Sequence, residues 1–120
     1  MMEDWKLDFE WLRIRHFVKD RFKRSELPDL NSILYLIGIQ EVNLIKKKFT
    51  KEEKQDLMHV ATCHLLSIEG YFDFIGNDDE GWPHYKQTRV LPVEGVNAQE
   101  KFLKNLVIQY FEPYIQKIES

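Results

Sequence analysis

Apolar residues surround residues 29–45 on almost every side of a predicted helix. At about 3.6 residues per turn they fall on three arcs: Ile33, Leu36, Ile37 and Leu44; Leu30, Leu34 and Ile45; Tyr35, Ile39 and Val42. A helix that is hydrophobic all round is normally enclosed by other elements. Interspersed polar residues argue against a membrane span. We therefore predict a central core helix, capped by Asp29 and closed by three lysines at residues 46–48.

The same periodicity predicts a helix before it and two after it. The first covers about residues 5–23, with Asp4 as N-cap. Its stripe contains Trp5, Phe9, Leu12 and either His16 or Phe17, widened by Ile14, Val18 and Phe22. The third begins at a capping box, residues 50–53, and ends before Gly70. The fourth begins near Asn97, and Pro113 kinks or ends it.

Between the third and fourth helices the period changes to that of strands. Two aromatic-rich segments, residues 71–75 and 82–88, flank a turn cluster, which predicts a β-hairpin. Pro83 places its strand at an edge, and a hairpin of two strands needs a helix to rest on. The sequence thus predicts one mainly α domain over residues 1–120, with a four-helix core around the apolar helix and a β-hairpin between helices 3 and 4.

Composition indicates a folded, soluble chain, with 43% hydrophobic and 31% charged residues. The one cysteine, Cys63, excludes an internal disulfide and fits a reducing compartment. The first residues contain no uninterrupted apolar signal core, so we expect a cytoplasmic protein with no membrane partner. A net charge of −3 gives no general attraction to nucleic acid.

Charge is unevenly distributed along the chain. Residues 13–24 hold six basic residues against Asp20, a formal charge of +5. Residues 69–100 hold seven acidic residues against Lys86 and Arg89, a formal charge of −5. The asymmetry is compatible with self-association, with an acidic partner, or with two solvated faces, and the solvated faces are the simplest interpretation. The basic segment is also a candidate for binding nucleic-acid phosphates, but long basic side chains that cover the core edge explain it as well, so we expect no nucleic-acid partner.

Two titratable residues fall on apolar helix faces. Glu41 shares its azimuth with Leu34 and Ile37, and His64 lies among the apolar residues of the third helix. We predict that they meet where the two helices cross, near Gly38, whose missing side chain lets the backbones approach. Such a pair is a candidate site, a pH-sensitive lock, or a structural device that fixes the packing.

Asp56, His59 and Cys63 share another side of the third helix. Carboxylate, imidazole and thiolate are metal ligands, but no second half-site accompanies them, so we predict neither a metal nor another cofactor. We interpret Cys63 as a small, buried hydrophobic residue. An alternative function remains open: a metal-dependent or acid–base enzyme that uses Glu41, Asp56, His59 and His64.

The hairpin contains more aromatic residues than one packed face requires. They are Tyr71, Phe72, Phe74, Trp82 and Tyr85. Exposed aromatics at a sheet edge are typical of protein interfaces. We therefore expect a protein-interaction module that self-associates or binds another protein, with Glu41, His64, Tyr71, Phe74, Trp82 and Tyr85 as candidate binding residues. The acidic turn at residues 77–81 is too short for a calcium loop and reads as solvated.

Three segments, GIQE, FTKEEKQDLMHVATCHLLS and DDEGWPHY, resemble a family of small, mostly helical bacterial proteins of unknown function. The resemblance covers about residues 11–111. It implies a bacterial, cytoplasmic, stand-alone domain and assigns no catalytic residue.

Overall fold

A computed structural model describes residues 3–42 and 48–119. Its elements are four helices, α1 (Asp4–Arg21), α2 (Leu30–Val42), α3 (Lys51–Ile68) and α4 (Val96–Glu119), and two strands, β1 (Phe72–Asn77) and β2 (Pro83–Gln87). The predicted mainly α class, with a hairpin between helices 3 and 4, is confirmed. The predicted end of the second helix, with Leu44, Ile45 and the lysines at 46 and 47, lies outside the described residues.

The chain forms two compact units. One contains α1 and α4, and the other contains α2 from Asn31 onward, α3 and the hairpin. None of the four helices, over its described residues, is both long enough and apolar enough to cross a membrane.

Within the first unit, α1 and α4 run parallel, because their contacts advance together along both helices. Asp4 pairs with Lys101 at one end, and the Arg21 guanidinium lies over the Tyr114 ring at the other. The predicted stripe of α1 is partly wrong: Trp5 is 69% exposed, Phe9 62% and Leu12 43%. Ile14 and Val18 are buried, as predicted, and the rest of the buried face is Leu7 and Trp11. Apolar residues occupy several sides of this helix, so periodicity alone could not identify the side that packs.

Helix α4 continues past Pro113 to Glu119. The prediction that Pro113 could end the helix is therefore wrong. Phe111 and Ile115, on either side of the proline, are both buried, and their packing holds the backbone helical across the missing amide.

In the second unit, α2 is buried on most of its sides, as predicted. Leu34 and Leu36 point about 200° apart around the helix and are both buried. Helix α3 begins at the predicted capping box, in which Thr50 Oγ1 accepts from the Glu53 amide and Glu53 Oε1 accepts from the Thr50 amide. It ends at Ile68, before Gly70 as predicted, and the Gly70 φ of +81° suits a residue without a side chain.

The hairpin is antiparallel and rests on α3, as predicted. Phe74 pairs with Tyr85, and a bulge follows between Phe74 and Gly76. At its open end, the Tyr71 carbonyl accepts from the Thr88 amide, and the Arg89 guanidinium lies 4.3 Å from the Tyr71 ring centroid. These contacts join the strands to the end of α3.

Candidate functional site

Glu41 and His64 meet, as the sequence predicts. His64 Nε2 lies 3.4 Å from Glu41 Oε1. The two side chains are 27% and 25% exposed, so the pair is half-buried and in contact with water. The pair is therefore a packing contact at the edge of the α2–α3 crossing rather than a dry ion pair.

Gly38 lies one turn before Glu41 and makes this crossing tight. A Cβ added there would overlap the backbone carbonyl of Leu57. Leu57 is fully buried and forms a core cluster with Val42 and Val60. The missing side chain thus allows direct contact between α2 and the backbone of α3.

Tyr85 connects this core cluster to the hairpin. Its ring packs against the cluster and lies 5.7 Å from the Phe74 ring. Burial raises the pKa of the Tyr85 hydroxyl, and the nearby Glu41 carboxylate raises it further. The phenol therefore stays protonated well above neutral pH.

A cavity of about 400 Å³ lies between the other side of α3 and the hairpin. Helix α3 supplies Asp56, His59, Val60 and Cys63. The hairpin supplies Phe72, Asp78, Glu80, Trp82, Pro83, His84 and Tyr85. The volume of the cavity falls in the range of small-molecule sites, about 300–1,000 Å³.

The α3 wall contains the residues that the sequence groups on one side of the helix. Cys63 Sγ lies 3.6 Å from His59 Nε2. Cys63 is buried, as predicted, and burial raises the pKa of its thiol. Because the thiolate is the nucleophilic form, this environment disfavours Cys63 as a nucleophile.

The hairpin wall is built around Asp78. Its Oδ1 accepts from the backbone amides of Glu80 at 2.9 Å and Trp82 at 3.0 Å. Its Oδ2 lies 2.9 Å from His84 Nε2. The pKa of the Asp78 carboxyl is lowered, mainly by its hydrogen bond with His84 and next by the hydrogen bond from the Trp82 amide. One carboxylate therefore fixes both the turn and the imidazole beside the cavity.

The structure separates the candidate binding residues into groups. Trp82 and Tyr85 line the cavity, and Phe74 contacts Tyr85 while remaining 55% exposed. Tyr71 stacks with Arg89 at the open end of the hairpin. Glu41 and His64 form their own pair and do not line this cavity.

The residues of the enzyme alternative are also divided. Asp56 and His59 line the cavity, whereas Glu41 and His64 meet at the helix crossing. Across residues 3–42 and 48–119, no three His, Cys, Asp or Glu side chains are grouped as metal ligands.

Sequence reasoning did not propose the polar residues Asp78, Glu80 and His84 as site residues, although all three line the cavity. The turn is solvated as predicted, yet it also forms a wall. An Asp side chain often accepts a hydrogen bond from the backbone amide two residues later in a turn, so the turn sequence itself was a signal that could have identified Asp78. The position of His84 depends on the strand register, which the bulge shifts.

Much of the basic segment of α1 has local partners. Arg13 bonds Glu10 and Glu112 at 2.7 Å each, and these bonds raise its pKa. Arg15 donates to the Pro28 carbonyl at 2.8 Å. These contacts support the interpretation of this segment as a structural edge.

No protein-family model and no solved structure matches this chain.

Proposed function

We propose that this chain is a cytoplasmic protein-interaction module that self-associates through its hairpin. The observation behind the proposal is the exposure of neighbouring apolar side chains there, Phe74 at 55% and Ile75 at 63%. Exposed large apolar side chains on an edge strand favour an interface. Ile68, at the end of α3, is also 57% exposed.

The hairpin supplies backbone groups as well as side chains for such an interface. Over residues 3–42 and 48–119 the sheet contains two strands, so within that part of the chain each has one edge without a strand partner. An edge of this kind can pair with a strand of another chain unless charge or proline prevents it. Pro83 obstructs the start of β2, which leaves β1, with Phe74 and Ile75, as the better edge.

Charge supports a second copy as the partner. The hairpin belongs to the segment with a formal charge of −5, and residues 13–24 have a formal charge of +5. Arg13 and Arg15 are engaged within one copy, so Lys19, Lys23 and Arg24 are the basic residues that can meet the acidic hairpin of a second copy.

Sedimentation velocity over micromolar to high micromolar concentrations tests the proposal. We expect the wild-type chain to form a dimer and the double variant Phe74→Ser, Ile75→Ser to shift strongly toward monomer. The matched control is Phe9→Ser, which removes an equally exposed phenylalanine from α1. A wild-type chain that stays monomeric, or a control that dissociates as much as the hairpin variant, would overturn the proposal.

An acid–base or metal-dependent enzyme remains the second candidate. The observation in its favour is the pair of Asp78 and His84 at the cavity, because a carboxylate that orients an imidazole is a frequent catalytic arrangement. Elemental analysis after purification without chelator tests the metal form of this candidate, and stoichiometric zinc, iron or manganese would favour it.

A further inference from the structure

The cavity between α3 and the hairpin combines aromatic walls with acidic groups. Trp82, Tyr85 and Phe72 supply the aromatic surface. Asp56 and Glu80 supply carboxylates, and within the described chain no hydrogen bond or ion pair engages either side chain. Asp78 is already held by the turn and by His84.

The two histidines that line the cavity are already engaged, His84 by Asp78 and His59 by Cys63. Neither lysine nor arginine is among the described residues that line it. An anionic ligand would meet three carboxylates there, and a purely apolar ligand would leave them desolvated. A ligand with a positive charge on an organic frame satisfies both parts of the lining, because cations are attracted to indole and phenol faces.

We infer that this cavity binds an organic cation, an alkylammonium or guanidinium group. Asp56 and Glu80 neutralise its charge, and Trp82 and Tyr85 contact its carbon frame. A bare metal ion is a poorer match, since no three metal-ligating side chains in the described chain are grouped to hold one. The inference does not depend on self-association.

The cation has two possible sources with the same chemistry. It is a free small molecule, or it is a basic side chain of a second copy seated at the hairpin. Choline serves as the probe for both, and 3,3-dimethylbutan-1-ol, which has the same shape without the charge, serves as its neutral control.

Indole N–H signals in ¹H–¹⁵N spectra provide the measurement, because the chain has three tryptophans and only Trp82 lines the cavity. We expect choline to shift the Trp82 signal saturably and to leave Trp5 and Trp11 unchanged. The neutral analogue should bind at least about threefold more weakly. A parallel sedimentation run shows the source: dissociation of the dimer by choline identifies a side chain of the second copy, and an unchanged distribution identifies a free ligand.

Two sets of variants test the residues. Asp56→Asn with Glu80→Gln should weaken choline binding about three- to tenfold. The control, Asp79→Asn with Glu52→Gln, removes the same charge from the same turn and helix outside the cavity, and should change binding by less than about twofold. Equal shifts of all three indole signals, equal binding of the neutral analogue, or equal effects of the two double variants would overturn the inference.

Discussion

Helix α3 presents two neighbouring sides with opposite properties. One side, with Leu57 and His64, packs against α2 so closely that Gly38 has no room for a methyl group. The other side, with Asp56, His59 and Cys63, borders a cavity of about 400 Å³. The two sides lie about 120° apart around the helix.

The comparison shows how one helix serves both stability and binding. Val60 lies between the two sides, since it belongs to the core cluster and also lines the cavity. We therefore expect substitutions on the packed side to reduce the free energy of unfolding, and substitutions on the open side to affect binding alone.

The largest effect is expected from Gly38→Ala. Its Cβ would overlap the Leu57 backbone, which cannot rotate away as a side chain can. We expect a loss of about 3 kcal/mol or more in the free energy of unfolding, measured by urea denaturation. Asn31→Ala, at an exposed position of the same helix, is the control and should change stability by less than about 0.5 kcal/mol. A stability loss at Gly38 no larger than the control's would mean that the helices do not touch there.

A smaller effect is expected from the Glu41–His64 pair. Because both side chains are about a quarter exposed, their coupling should be about 0.5–1 kcal/mol, below the 3–5 kcal/mol of a fully buried pair. A double-mutant cycle with Glu41→Gln and His64→Leu isolates this coupling from the other contacts of each residue. Strictly additive changes in the free energy of unfolding would show that the pair makes no energetic contact.

Acid should loosen the hairpin side selectively. The pKa of Asp78 is lowered from its ordinary value of 3.8, so its contribution is present above pH 3.8 and is lost as pH falls through the lowered value. We expect the Trp82 amide, which donates to Asp78, to lose protection from hydrogen exchange in that range. Asp78→Asn should remove this acid dependence, whereas Asp79→Asn should keep it. Identical profiles in the two variants would contradict the role of Asp78.

The smallest effect concerns Tyr85. Its pKa is raised mainly by burial and in part by the Glu41 carboxylate, so Glu41→Gln should lower it partway toward the ordinary value of 10.0. The titration is followed by NMR of ¹³C-labelled tyrosine, because the chain has five tyrosines. The control is Asp56→Asn, which removes a different carboxylate, on α3, and should leave the Tyr85 pKa closer to its wild-type value than Glu41→Gln does. An unchanged titration in the Glu41 variant would mean that the packed side does not influence the hairpin.

Local rules of the sequence predicted the elements well. The capping box at Thr50, the stop at Gly70 and the aromatic strands each depend on neighbours within a few residues, and each is confirmed. The contact of Glu41 with His64 was also predictable, because a glycine and a carboxylate interrupt an otherwise apolar helix.

Features that depend on tertiary packing were harder to predict. In α1, both Phe9 and Trp11 are aromatic, but only Trp11 is buried. Which of the two is buried depends on the packing of the helix and not on the spacing of its apolar residues. The hairpin that forms one wall of the cavity contains the bulge after Phe74 and the turn held by Asp78, and periodicity predicts neither feature.

The most direct test measures the free energy of unfolding and choline binding on one variant of the open side of α3. For Asp56→Asn with Glu80→Gln, we predict a free energy of unfolding within about 0.5 kcal/mol of wild type, together with choline binding weakened about three- to tenfold. A large loss of stability with unchanged choline binding would contradict the division of α3 into a packed side and a binding side.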